Sequence, residues 1–230
     1  MSPENFAVNF FIALFALIDP IGNVPLFAAA TEGVRSKDAR LIAVYVAIVV
    51  LLFLTFFYFT GLSLLAFFGI SLPAFRIAGG IILFLLGLEM ARDDFTATFA
   101  IDDDGVQLHG AAGARKRFER MIVPFTMPLL IGPGAISTVI IYASESKTYG
   151  LMGTLIGLGV FIAIAISTML SFWAAPLISK LMGKIGLTVI VRILGLILCA
   201  MAVQFVLAGV ADSTHGMISK SASAPYQSKK

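Results

Sequence analysis

Charge is scarce in this chain. Acidic and basic side chains together make up 13% of its 230 residues, against about a quarter in a soluble globular domain. None at all occurs from Leu41 to Phe75. So little charge cannot cover a water-facing surface. With 59% hydrophobic residues and a mean hydropathy of +0.99, the chain requires lipid as its solvent. Cysteine is nearly absent too, and Cys199, alone in an apolar run, excludes an internal disulfide. Neither histidine, His109 or His215, has cysteine or carboxylate partners at metal-ligand spacing, which argues against a metal site. The segment "IDDDG" lacks the alternating ligands of an EF-hand loop and reads as solvated linker. No G-x-x-x-x-G-K-[ST] run is present, so a P-loop does not supply ATP-driven force. No paired catalytic constellation is visible, and an enzyme is not expected. The start "MSPENF" has no basic segment of the kind that opens a signal peptide. A net charge of +3 carries no nucleic-acid message, because in a membrane chain the placement of Lys and Arg outweighs their sum.

What is present is a set of long apolar runs. About 20 apolar residues cross a hydrocarbon core, and six segments qualify: 6–28, 41–62, 74–91, 121–143, 151–174 and 191–210. Spans two and three meet at a tight turn near Gly69 to Pro73. The longest polar segment, "RDDFTATFAIDDDGVQLHGAAGARKRFER", separates spans three and four. The Ser- and Lys-rich tail from Asp212 is expected to be disordered. With the N-terminus outside, one face collects Arg35, Lys37, Arg40, Arg92, Arg115, Lys116, Arg117, Arg120, Lys180 and Lys184. The other face holds only Lys147, Lys220, Lys229 and Lys230, with Arg76 and Arg192 at span ends. The basic excess belongs in the cytoplasm, so both termini are expected outside.

The two halves resemble one another. "FRIAGGIILFLLGLEM" in span three reads against "VRILGLILCAMAVQF" in span six, with Arg76 over Arg192 and Gly79 over Gly195. "IDPIGN" lies opposite "IGPGAIS"; Pro20 precedes Arg76 by 56 residues and Pro133 precedes Arg192 by 59. Each half has three spans, an odd number, so the second must enter from the opposite face. This is the sequence sign of an inverted-topology repeat. The expected organisation is a first three-helix repeat over 1–91, a cytoplasmic linker over 92–120, a second repeat over 121–211 and a tail over 212–230.

Spans one and four are interrupted. Pro20 has no N–H and its ring crowds the carbonyl of Ala16, so the helix breaks there. Gly22 permits the dihedral angles of a break, Asn23 suits an N-cap, and Pro25 suits the first turn of a restarted helix. The second half repeats the device with Gly132, Pro133 and Gly134, after Pro124 and Pro128. A single proline commonly only kinks a membrane helix. Two interruptions at matching places are the best sequence pointer to a substrate site. Asp19 adds to it, since a carboxylate at membrane depth is costly and marks function. Ser137 and Thr138 either bond their own helix carbonyls or line the site. Gly153, Gly157 and Gly159 read as close helix-packing positions.

At these motifs the chain resembles a known family. "DPIGNVPLF", "FGISLPAFRIAGGIILFLLGLEM", "VPFTMPLLIGPGAIST" and "VRILGLILCAMAVQFVLAGV" look like the MarC family of integral membrane proteins, also called the neutral amino acid transporter family. The resemblance covers about residues 6 to 210. It implies a multi-pass protein of the bacterial inner membrane, and in some members import of glycine and alanine. The family commonly has Asn where this chain has Asp19.

Together these readings describe an all-α membrane protein of six helices in two inverted repeats, with spans one and four broken. It is read as a secondary transporter of small neutral amino acids with both termini periplasmic. The substrate site draws on Asp19, Pro20, Gly22, Asn23, Gly132, Pro133, Gly134, Ser137 and Thr138. Helix N-termini after Asn23 and Gly134 would receive the carboxylate. Carbonyls near Ala16 and Leu129, with Asp19, would receive the ammonium. No cofactor is called for beyond a coupling proton or sodium ion. The partners are the substrate and the bilayer, not nucleic acid, and homo-oligomerisation stays open. A passive channel or exporter, or a scaffold without transport, is the alternative.

Overall fold

The computed structural model describes residues 2–92 and 129–214, with Arg115, Phe118, Glu119 and Thr126 between them. Most of the 92–120 linker, Pro124 and Pro128, both histidines and the tail beyond Thr214 lie outside the described residues. Within them every regular element is helical: α1 (Pro3–Ile18), α2 (Val24–Ala30), α3 (Ser36–Phe67), α4 (Leu72–Arg92), α5 (Pro133–Ser146), α6 (Gly150–Trp173) and α7 (Ala175–Ser213). Local chemistry sets several of the boundaries. Ser2 caps α1 by accepting from the Asn5 N–H at 3.3 Å, with Pro3 at the first helical position. Gly69 at φ 65 turns α3 into α4, as the sequence predicts for Gly69 to Pro73. Gly150, at φ 56 and ψ −133, separates α5 from α6 after a short 3-10 turn, Lys147–Tyr149. α7 bends at Gly183, where φ is 61 and ψ −179, a conformation that only glycine adopts readily.

Among the described residues four helical runs are long and apolar enough to cross a bilayer: Ser36–Phe67, Leu72–Arg92, Pro133–Ile178 and Ile185–Ser213. The third contains the Gly150 turn and so is not one straight rod. With 16 residues, α1 is about 24 Å long and too short to span alone. Its continuation α2 adds seven residues, about 10 Å. The tail is expected from Asp212, but that residue is helical. Asp212 and Ser213 form the last turn of α7, and Arg76 Nη1 holds the Asp212 carboxylate at 2.8 Å.

Contacts at the two ends order the helices. At one end Phe6 packs on Tyr149 with ring centroids 5.0 Å apart. At the other, Phe27 stacks on Phe172 at 4.5 Å and Trp173 Nε1 donates to the Arg40 carbonyl at 3.2 Å. The broken pair α1–α2 therefore runs along the length of α6. α3 runs antiparallel to α6, with the Tyr58 hydroxyl donating to Ser146 Oγ at 2.7 Å near the start of α6. Tyr58 also packs flat space left by Gly157, where an added Cβ would lie 3.0 Å from the ring. Gly153 closes on the Ser146 carbonyl. Gly159 departs from its expected packing role: nothing lies within 4 Å of an added Cβ there.

The most extensive helix–helix contact joins α4 to α7. It is a seam of small residues along two antiparallel helices. A Cβ on Gly80 would lie 2.8 Å from the Ala202 carbonyl, and one on Gly87 2.8 Å from the Gly195 carbonyl. A Cβ on Gly195 would in turn lie 2.7 Å from the Gly87 carbonyl, and one on Gly209 2.9 Å from the Pro73 carbonyl. Gly80 and Gly87 are seven apart, as are Gly195, Ala202 and Gly209, so all face one line. In lipid no hydrophobic gain drives helices together, and close backbone approach supplies the attraction instead. The aligned glycines Gly79 and Gly195 differ in their neighbours: Gly195 meets Gly87, whereas Gly79 receives the ring of Pro133.

Large apolar side chains cover the outside. Leu52, Phe56 and Phe59 on α3, Ile81 and Leu85 on α4, and Ile162 and Ile166 on α6 are all exposed. Buried hydroxyls use carbonyls of their own helices: Thr31 Oγ1 donates to Phe27 at 2.8 Å and Thr168 Oγ1 to Ile164 at 2.9 Å. Among the described residues no buried side-chain N or O lacks a partner, as a medium without water requires.

Candidate functional site

The break between α1 and α2 is a closed backbone loop organised by two side chains. Asp19 ends α1 in the left-handed region (φ 42, ψ 64), its N–H donating to the Phe15 carbonyl at 2.9 Å. Aspartate tolerates this conformation better than most residues. Its Oδ1 accepts the Gly22 N–H at 3.0 Å, and its carbonyl accepts the Asn23 N–H at 3.1 Å. Two sequence expectations are corrected here. The positive φ falls on Asp19, and no such angle occurs at Gly22. An added Cβ at 22 would meet the Asp19 carboxylate, which would have to turn aside and release the Gly22 N–H. Asn23 makes no side-chain cap to α2. Its Nδ2 turns back and donates to the carbonyls of Ile18, at 2.9 Å, and Asp19, at 3.0 Å. The Ile18 and Asp19 carbonyls at the end of α1 are thus taken by an amide.

Pro20 is buried, Gly22 and Asn23 are half-buried, and Asp19 is exposed. Asp19, Gly22 and Asn23 face a cavity of about 60 Å³, room for a few waters, whereas Pro20 is not part of its lining. Its polar side comes from Asp19, Gly22 and Asn23. Its apolar wall comes from Leu17, from Met90 of α4, and from Leu194, Ile197, Leu198 and Met201 of α7. Leu129, just before the second break, completes it. Among the described residues, Asp19 is the only charged one in this lining.

The second break stands apart from this cavity. Gly132, in extended conformation (φ −78, ψ 171), precedes Pro133 at the start of α5. Before it the Ile131 N–H reaches five residues back to the Thr126 carbonyl at 3.1 Å, a wide turn of π type. Gly132, Pro133, Gly134 and Ser137 are buried and Thr138 is half-buried. None of the five lines the cavity. Pro133 seats in the notch of Gly79, and the Phe205 ring lies on Gly134. Ser137 Oγ donates to the Gly134 carbonyl at 3.0 Å, so its hydroxyl serves its own helix. Both breaks therefore contact the α4–α7 pair, and of the two only the first contributes residues to this cavity among those described.

Sequence reasoning missed Met90, Leu194, Leu198 and Met201. Apolar side chains in an apolar span carry no individual signal. The spacing of Leu194, Leu198 and Met201, four then three, marks a single helical face and was the available clue.

Comparison with known proteins gives the chain its family. The family described as MarC family integral membrane protein matches residues 4–214. The chain belongs to the MarC family. Similar MarC-type proteins include the UPF0056 membrane protein of Pyrococcus abyssi, 34% identical over 207 residues, covering 90% of this chain and 94% of that protein. The UPF0056 membrane protein of Aquifex aeolicus is 33% identical over 214 residues, covering 90% and 94%. The UPF0056 membrane protein YhcE of Escherichia coli is 29% identical over 215 residues, covering 91% and 94%. No solved structure matches. The MarC match runs from the start of α1 to the end of α7, so both breaks, the cavity and the α4–α7 seam lie inside the family's extent.

Proposed function

We propose that this protein is a secondary transporter of small neutral amino acids, of the glycine and alanine class, acting by transport rather than by catalysis. One observation carries the reading: a carboxylate, a broken helix and an apolar wall meet in a cavity of about 60 Å³. An isolated carboxylate within an apolar protein is costly and marks a functional pole. Asp19 meets the substrate ammonium or a coupling proton or sodium ion. A space of about 60 Å³ suits a small substrate better than one with a bulky side chain. Reconstituted protein is expected to accumulate radiolabelled glycine in proteoliposomes under a proton or sodium gradient. Absence of uptake under either gradient would overturn the reading.

The six-crossing reading goes with this function. In its favour, α1 and α2 together run the length of α6, and α4 and α7 are antiparallel. With the basic Arg35–Arg40 end in the cytoplasm of a bacterial cell, both termini face the periplasm. A reporter active only in the cytoplasm, fused after Lys230, is expected to stay silent. Activity there would reverse this orientation.

A further inference from the structure

The cavity wall on α7 does not stop at Met201. Leu194, Leu198, Met201 and Phe205 follow one another at spacings of four, three and four, a single stripe along one face of the helix. The first three line the cavity. The fourth, Phe205, lies with the outer edge of its ring against Gly134. An added Cβ at Gly134 would sit 2.9 Å from both Cε1 and Cε2, with Cζ nearer still. On the facing side the chain from Leu129, which lines the cavity, leads to Gly134 within five residues. The Phe205–Gly134 contact thus stands one turn beyond Met201 on α7 and five residues beyond Leu129, next along the chain from both cavity walls.

We infer that Phe205 is a gate residue: its ring, seated on Gly134, shuts the cavity at the first break off from the second. The assignment rests on the transport reading only where substrate flux is measured; the barrier itself can be read without substrate. Gly134 supplies the seat, because any side chain there would displace the ring. A phenylalanine turns about two torsions, so it can leave the seat without moving the α4–α7 seam. With the ring withdrawn, the cavity extends along α5 to Gly134 and Ser137, and the substrate can meet both breaks. With the ring seated, only the first break is reached. The tight glycine contacts of the seam make a hinge between α4 and α7 the wrong place for such a movement.

Ser137 reports on the gate, since it stands one turn behind Gly134 and is only 1% exposed. The test uses full-length protein in membrane vesicles, carrying Cys199→Ser to remove the native thiol and Ser137→Cys as reporter. A small water-soluble methanethiosulfonate is the probe. With Phe205 present the reporter should react slowly. A closed gate leaves the open state at roughly a tenth or less, so Phe205→Ala should raise the rate about tenfold or more. Phe205→Leu, which fills part of the seat, should give a smaller rise and serves if the alanine variant fails to assemble. Thr168→Cys, buried on α6 away from the ring, should stay unreactive throughout. An unchanged Ser137→Cys rate in the Phe205 variants, or an equal rise at Thr168→Cys, would overturn the gate. Phe205→Ala should also make glycine flux leaky, with downhill exchange kept and accumulation lost. If the parent protein moves no glycine at all, the substrate reading fails while the labelling comparison still decides the gate.

Discussion

Asp19→Asn is expected to abolish concentrative uptake while leaving substrate exchange intact. The substitution is unusually clean at this place. The retained Oδ1 can still accept the Gly22 N–H now held at 3.0 Å. Asparagine also enters the left-handed region at least as readily as aspartate, so the φ of 42 at this position adds no strain. Neither the Asn23 amide bonds nor the start of α2 depend on the charge, since both use the Asp19 backbone. What disappears is the one formal charge that the described residues bring to the cavity lining. If that charge carries the coupling ion, the imposed gradient no longer acts on the substrate. A tenfold ion gradient stores about 1.4 kcal/mol and supports about tenfold accumulation with one ion per substrate. In Asp19→Asn the accumulation ratio should fall to unity, and dependence on pH or sodium should vanish with it. Counterflow of labelled against unlabelled glycine should continue. Accumulation equal to the parent protein would reduce Asp19 to a helix-ending residue and move the coupling site elsewhere.

Gly87→Val is expected to give the largest loss of stability. Gly87 faces the Gly195 carbonyl at 2.8 Å and the Cys199 N–H nitrogen at 2.9 Å from an added Cβ. These neighbours are backbone, not the movable ends of side chains. They cannot give way singly, so the two helices must part and the whole seam loosens. Overpacking of a well-packed contact costs about 1–3 kcal/mol, and a backbone clash belongs at the upper end. For a chain of this size 3 kcal/mol corresponds to roughly 6–12 °C in melting temperature. Detergent-solubilised Gly87→Val should melt lower by about that amount, or emerge aggregated from size exclusion. Gly159→Val is the matched control. It adds the same side chain to a transmembrane helix where nothing lies within 4 Å, and its melting temperature should hardly move. Equal losses in both variants would mean that helix propensity, not seam geometry, sets the cost.

Much of this molecule was legible before any coordinates. The scarcity of charge named lipid as the solvent, and the turn at Gly69 and the interruptions at Pro20 and Pro133 lay where their residues demanded. Each depends on the chemistry of a residue and its neighbours a few places away. Pro20 cannot donate an N–H in any fold, and a carboxylate beside it is costly in any apolar setting. The closer details of the first break were not legible. Asp19, Gly22 and Asn23 all looked suited to a break, but several arrangements of their bonds satisfy the same sequence. Asp19 took the positive φ, and the Asn23 amide turned backward to close α1.

The sequence by itself determined that this chain belongs in a membrane, that its elements are helices, and where two of them break. Only the tertiary structure decided which surfaces meet: the Phe205 ring on Gly134, Pro133 in the notch of Gly79, and Arg76 on Asp212, 136 residues away. The physical reason lies in the solvent. In water, a hydrophobic stripe announces which face of a helix must be buried. In lipid, apolar faces are at home outside as well as inside, so helices are matched by close fit between small residues and rings. That fit involves pairs of residues far apart in the chain, and a pattern of hydrophobicity does not encode it.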